Sequence, residues 1–197
     1  MQKVRSISKK IFFSISVLIV SPLLVLYRVI GMFHKPDVFF AGISQLLSLL
    51  PGKVGTYLRV AFYRFTLTSC RSDTVISFLV IFPQYDTEIE SGVYIGPGCN
   101  IGSSKIGKNT LLGSNVHIIS GKAQHRFDDI NIPIKEQGGS FEKISIGDDC
   151  WVGNGALISA NVGRKCIIGS GSVVVSEIPD FSIVAGNPAK VIKTREH

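Results

Sequence analysis

From Ile89 to Val174 the chain places an aliphatic residue at nearly every sixth position. The anchors run Ile89, Val93 or Ile95, Ile101, Ile106, Leu112 and Ile118, then, after a gap, Ile146, Val152, Ile158, Val162, Ile168 and Val174. A fixed short period of this kind constrains the fold before any single residue does. Glycine follows the anchor at Gly96, Gly102, Gly107, Gly113, Gly147, Gly153, Gly163 and Gly169. Four places after the anchor stands a small or medium residue: Cys99, Thr110, Val116, Cys150, Ala156, Cys166 or Ser172. A helix with 3.6 residues per turn cannot keep such a seam on one side. A short strand followed by a tight turn can, with glycine supplying positive φ or close approach at the corner. The spacing predicts a coiled strand whose core is a continuous internal column. Two shorter steps, Ile101 to Ile106 and Ile158 to Val162, read as tightened corners.

The hexamers IGPGCN, IGKNTL, LGSNVH, IGDDCW, VGNGAL and IGSGSV obey one rule: aliphatic, Gly, two variable residues, small residue, variable residue. Through this repetition, over residues 75–193, the chain resembles the hexapeptide-repeat acyltransferases, sugar O-acetyltransferases among them. The resemblance implies a mainly β fold, a left-handed parallel β-helix with three short strands per coil, which is an exception to the right-handed crossover rule. It also implies acetyl-CoA as acyl donor and a homotrimer with active sites between neighbouring subunits.

Charge is unevenly placed. Residues 1–74 hold ten Lys and Arg against Asp37 and Asp73, whereas the remaining chain is nearly balanced, with 11 basic and 12 acidic residues. The basic residues flank Ile11–Tyr27, a run of seventeen residues without a charge. Nucleic-acid binding is a poor explanation, because the charges border an apolar run instead of lining a face with aromatics. Membrane contact explains them better, and several forms compete. A signal peptide would need an A-x-A-like cleavage site and would part the enzyme from CoA. A single span is nearly long enough, but Lys3, Arg5, Lys9 and Lys10 would hold the N-terminus inside and push the repeats outside. A helical hairpin or interfacial helix, bent at Pro22 and returning at Arg28 and Lys35, keeps the repeats on the cytoplasmic side with CoA. The remaining reading is an apolar helix packed on the repeats or in an oligomer interface.

Four parts follow: a membrane-associating segment over 1–40, an amphipathic helical cap over 41–74, the repeat domain over 75–188 and a basic tail over 189–197. In the cap, Tyr57, Leu58, Ala61, Phe62 and Phe65 recur at helical spacing with Lys53, Arg59 and Arg64 interspersed. That helix is read as plugging the open end of the solenoid or meeting lipid headgroups. Cys99, Cys150 and Cys166 fall on the small inward position and are expected to be reduced core thiols, with Cys70 open.

Between Ile118 and Ile144 the repeat is interrupted by a loop over 119–143, and a long excursion inside an economical solenoid is functional or disordered. Phe127, Ile130, Ile132 and Pro133 argue for order. The resemblance implies that a His at the base of such a loop lies in the groove between two subunits, and His125 matches that role. Acetyl transfer from a thioester to a hydroxyl needs a base that is neutral near pH 7, and imidazole, with a pKa near ~6.5, suits. Asp128 or Asp129 would orient the ring, or either is a solvated loop charge. His117, in the outward place of LGSNVH, is the rival base. No metal site is expected, since only His117 and His125 lie in the repeat region.

By the same resemblance Trp151, Asn154, Ser170, Lys190 and Lys193 are the cofactor-binding candidates, the two lysines suiting the phosphates of CoA. The sequence thus points to an O-acetyltransferase at the inner face of the cytoplasmic membrane. Its acceptor is a saccharide or lipid-linked saccharide in surface polysaccharide or glycolipid synthesis. The alternatives are acetylation of a soluble small molecule, such as an antibiotic, a free sugar or serine, and a non-catalytic β-helix scaffold.

Overall fold

The computed structural model describes residues 2–33 and 36–195, with side chains described from Lys10 onward except Pro36. Three helices come first: α1 (Gln2–Gly31), α2 (Pro36–Ser48) and α3 (Gly52–Thr66). The first coil holds β1 (Ser69–Cys70) and β2 (Val75–Ile76), and the second β3 (Glu88–Ile89), β4 (Tyr94–Ile95) and β5 (Asn100–Ile101). The third holds β6 (Ser104–Ile106), β7 (Leu111–Leu112) and β8 (His117–Ile118), and the fourth β9 (Ile144–Ile146), β10 (Trp151–Val152) and β11 (Leu157–Ile158). β12 (Ile167–Ile168) and β13 (Val173–Val174) form the fifth, and β14 (Ser182–Gly186) and β15 (Ala189–Thr194) close the chain. These stack into three sheets, β1-β3-β6-β9, β2-β4-β7-β10-β12-β14-β15 and β5-β8-β11-β13, here called the first, second and third faces. Every pairing is parallel except β14 with β15, the architecture of a parallel β-helix.

A two-residue strand turns one side chain in and one out, so the anchors stack in register along the interior. On the second face Ile76, Ile95, Leu112, Val152, Ile168 and Val184 form one column, and all are essentially inaccessible to water. Burying each such side chain contributes about 1.5–3 kcal/mol relative to leaving it exposed. The six-residue step is kept at two of the three corners in every coil, for example Ile146 to Val152 to Ile158. The corner from the third face back to the first is the variable one: Ile101 to Ile106, Ile158 to Val162, and the loop between Ile118 and Ile144.

The glycine after the anchor serves close approach. A Cβ on Gly147 would lie 2.5 Å from the Arg164 backbone nitrogen, and one on Gly107 2.5 Å from the Gly147 carbonyl carbon. Positive φ falls two places further on, at Asn109, Asn115, Asp149 and Lys165 as well as at glycines. Side-chain oxygens then tie corner to corner. Asp148 Oδ1 accepts from the Lys108 N–H (2.7 Å), and Asn161 Oδ1 from Ser145, Asn154 Oδ1 from Ser114 and Asp180 Oδ1 from Arg164, each at 2.9 Å. All four cysteines are free and buried. Cys70 takes the anchor place of the first coil, opposite Ile89.

That first coil begins at Ser69, within the stretch read as cap, and its open end is covered by α3. Tyr63 meets Phe82 edge-on with ring centroids 4.7 Å apart. Arg59, one of the basic residues interspersed in that helical pattern, is fully buried. Its Nε donates to the Ile76 carbonyl (2.9 Å), and its Nη1 to the carbonyls of Leu47 (3.1 Å) and Leu50 (2.6 Å), at the C-terminal end of α2. Carbonyls at a helix C-terminus carry partial negative charge, so the cation is satisfied without a carboxylate. Burial lowers its pKa from the ordinary arginine value.

α1 departs from the expected bend: it runs as one helix through Pro22 to Gly31, and the chain turns at Met32 and Phe33. Lys35, the expected return point, lies outside the described residues. One side of α1 packs on the cap, with Tyr27 against Phe39, Phe40 and Phe62 and Phe12 stacked on Tyr57. The stretch read as a basic tail contributes β15, antiparallel to β14.

Replacing Gly147 by Ala is therefore expected to cost about 1–3 kcal/mol in denaturant unfolding, because backbone of the next coil must move. Gly42, helical and with nothing near its absent Cβ, sets the control. Gly42→Ala should gain up to about 1 kcal/mol.

Candidate functional site

The loop over 119–143 is ordered at its base by its own backbone. Ser140 N–H donates to Ala123 O (2.7 Å), Arg126 N–H to Gly138 O (2.8 Å) and Glu142 N–H to Ser120 O (2.9 Å). Gly139 permits this closure, since a Cβ there would collide with the Gln124 carbonyl. His125 sits inside the ribbon so formed, exposed, and makes no hydrogen bond or ion pair with any described residue. Neither aspartate holds it. Asp128 Oδ2 pairs with Arg126 Nε at 3.2 Å, and Asp129 Oδ1 accepts from the Asn131 N–H at 2.8 Å while Gln137 clasps its backbone. Both carboxylates thus shape the loop in this structure. The loop also leaves Phe127, Ile130, Ile134 and Phe141 largely uncovered, Ile130 being 95% exposed.

The loop is fastened to the coils by residues that the repeat motif does not flag. Lys143 Nζ lies 2.6 Å from Asp86 Oδ1 and 3.0 Å from Glu88 Oε1. Gln84 Oε1 accepts from Ser120 Oγ (2.6 Å) and from the Ser103 N–H (3.0 Å). Beside this fastening a groove of about 340 Å³ is lined by Lys122, Glu142, Lys143, Ser159, Asn161 and Glu177.

The remaining candidates fall elsewhere. His117 is exposed on the third face, between Asn100 and Leu157 of the neighbouring coils. Trp151, 56% exposed, projects from the second face. Register carries its row across Ile167 and Ile183 to Lys193, with Lys190 beside it opposite Ala185. Residues three apart in a regular strand face opposite ways, but a register shift between Ile183 and Val184 brings both lysines against outward residues of β14. Asn154 and Ser170 occupy equivalent corner places of adjacent coils, and the Asn154 side chain is already engaged with the Ser114 N–H. One exposed indole and two exposed cations on one surface suit an apolar arm that ends in phosphates, the character of CoA. The structure therefore groups Trp151, Lys190 and Lys193. It keeps them apart from His125, because in a three-sided prism the corner between the third and first faces is opposite the second face.

Residues 143–176 match the family described as hexapeptide repeat of succinyl-transferase. Over 47% of its length the chain is 42% identical to a probable acetyltransferase of Mycobacterium tuberculosis, covering 31% of that protein. Over 46% of its length it is 35% identical to a probable macrolide acetyltransferase of Lysinibacillus sphaericus, covering 59% of it. The fold is shared with a maltose O-acetyltransferase from Clostridium difficile 630, at TM-score 0.56 and 20% identity, over 83% of this chain and 90% of that one. The hexapeptide repeat is thus matched over residues 143–176, and close to half of the chain is similar to proteins named as acetyltransferases. The chain spans less than two thirds of either curated relative.

The ion pairs of the loop fastening are expected to weaken in acid. The Lys143 hydrogen bond holds the Asp86 carboxyl below its ordinary 3.8. Burial opposes the Lys143 charge, yet its bonds to Asp86 and Glu88 outweigh this and raise its pKa. A depressed carboxylate contributes stability that is present above the unfolded value and lost as pH falls through the folded one. Asp86 is half exposed, so solvent screens the pair and the effect is small. Amide hydrogen exchange over 119–143, corrected for its intrinsic rate, should quicken modestly as pH falls below about 4, and Asp86→Asn should be cleaved by trypsin within 122–135 somewhat faster than the unchanged chain at neutral pH.

Proposed function

We propose that the chain is an acetyl-CoA-dependent O-acetyltransferase that acts as a homotrimer of left-handed β-helices, with a saccharide hydroxyl as acceptor. The observation that carries this reading is the opposition just described. The loop with His125 and the surface with Trp151, Lys190 and Lys193 lie on opposite sides of one chain, so a complete site forms where the loop of one copy meets the second face of another. Uncovered apolar groups on both sides, Phe127 and Ile130 on the loop and Tyr94, Leu111 and Trp151 on the second face, support such a contact. The relatives named acetyltransferases support the acyl group.

In the proposed reaction the acceptor hydroxyl gives its proton to the imidazole of His125 while its oxygen bonds to the thioester carbonyl carbon. The tetrahedral adduct then collapses with cleavage of the C–S bond, and the imidazolium returns the proton to the departing thiolate. No covalent enzyme intermediate is needed. Lys190 and Lys193 meet CoA phosphates, Trp151 packs beside the pantetheine arm, and Ser170 and the backbone near Asn154 flank it. With the basic, apolar N-terminus set against the inner face of the cytoplasmic membrane, the acceptor is a lipid-linked saccharide in surface polysaccharide or glycolipid synthesis. The macrolide relative favours a second reading, a soluble small-molecule acceptor.

His125→Ala should lower turnover by about 10² to 10⁴ fold with CoA binding intact, and His117→Ala should change it little. Steady-state kinetics with a thiol reagent check this, and the reverse pattern would make His117 the base. Changing both Lys190 and Lys193 to Ala should raise KM for acetyl-CoA about tenfold or more while leaving kcat nearly unchanged.

A further inference from the structure

Over Ile11–Tyr27 α1 carries no charge on any side, and its two sides have different fates. Ser16, Val20 and Tyr27 are buried against the cap. On the other side Ile11, Ile15, Leu18, Pro22, Val25 and Val29 follow one another at steps of three and four, all exposed, with Leu18 73% uncovered. Met32 and Phe33 extend the stripe into the following turn, at 80% and 77% exposed. A helix apolar all round is stable only where both sides are covered.

We infer that α1 lies in the plane of an anionic phospholipid surface, with its outer stripe sunk into one leaflet and its inner side still packed on α3. Two observations select this occupant and this pose. First, α1 contains Lys3, Arg5, Lys9, Lys10 and Arg28 and no acidic residue. Stacking α1 of a second copy on the stripe would bring like charges together, whereas anionic headgroups neutralise them. Second, the Tyr27 cluster and the Phe12–Tyr57 stack fasten α1 along the cap. Crossing a bilayer would strip aromatic partners from one end of the helix, while in-plane burial keeps every one of them. The inference rests on the membrane-facing reading above and adds its geometry: one leaflet, no crossing, and the cap held against the headgroups.

The test uses the full chain with phosphatidylcholine vesicles that contain or lack phosphatidylglycerol. Flotation should show binding about tenfold or more stronger with the anionic lipid, weakened by salt. Leu18→Glu and Val25→Glu, on the uncovered side, should each lower binding about tenfold with unchanged circular dichroism. The native cysteines are buried, so a fluorophore on Leu18→Cys reports depth through lipid-borne quenchers. A depth of about 5–10 Å below the headgroups supports the in-plane pose. A position near the bilayer centre, about 15 Å deep, overturns it. Equal, salt-independent binding of the Glu variants, or no binding together with self-association that Leu18→Glu abolishes, overturns it as well. CoA release on a soluble acceptor, measured in the same preparations, reads the transferase function separately, so either reading can fail without the other.

Discussion

Where the Gly107 corner meets Gly147, and the Gly147 corner meets Arg164, successive coils approach so closely that no side chain fits between them. The missing Cβ lets the coils close to the spacing of about 4.8 Å that parallel hydrogen-bonded strands require. At that spacing the parallel ladders fall into register, anchors stack on anchors, and corner oxygens from Asp148, Asn154, Asn161 and Asp180 reach the amides of the coil before. The corners after the first and second faces keep the six-residue step in every coil. The corner after the third face is also tied, by Asn161 to Ser145, but its length varies, and there the chain inserts its loop. The position of the candidate base is thus a consequence of which corner varies in length.

The same logic divides labour between the ends of the solenoid. At one end Arg59 spends its donors on carbonyls of α2, the turn after it and the first coil, so the helical cap and the column are one body. At the other, the shifted register of β14 and β15 ends the stack and turns Lys190 and Lys193 onto the surface that carries Trp151. Both devices are local, and both act on surfaces where the proposed function needs them: a cap that presents α1 outward, and a cation pair at the end of an apolar row.

The sequence exposes whatever repeats. The anchors, the glycines after them, the small inward cysteines and the break after Ile118 are legible because each coil restates one rule. The burial of Arg59 is not legible, because helical periodicity gives a residue's direction but not what arrives from elsewhere, here the end of α2 and Ile76. The continuation of α1 through Pro22 was missed for a related reason. Proline removes one helical hydrogen bond, and packing of Tyr27 and Val20 on the cap outweighs that local loss. The fastening of Lys143 to Asp86 and Glu88 joins residues remote in sequence, and no motif marks it. For Asp128 and Asp129 spacing alone could not say whether they serve His125 or the loop; within one chain they serve the loop.

The central claim is that one chain does not hold a whole site. It is tested most directly by co-expressing two impaired chains, His125→Ala and a Trp151→Ala, Lys193→Ala double variant, and assaying the mixed oligomer for CoA release at acetyl-CoA far below the KM of the double variant. If loop and second face come from different copies, some interfaces in the mixture pair an intact loop with an intact face, and activity returns well above that of either variant alone. Activity no greater than the sum of the two parents, in oligomers shown by mass to contain both chains, would mean that each chain carries its own complete site.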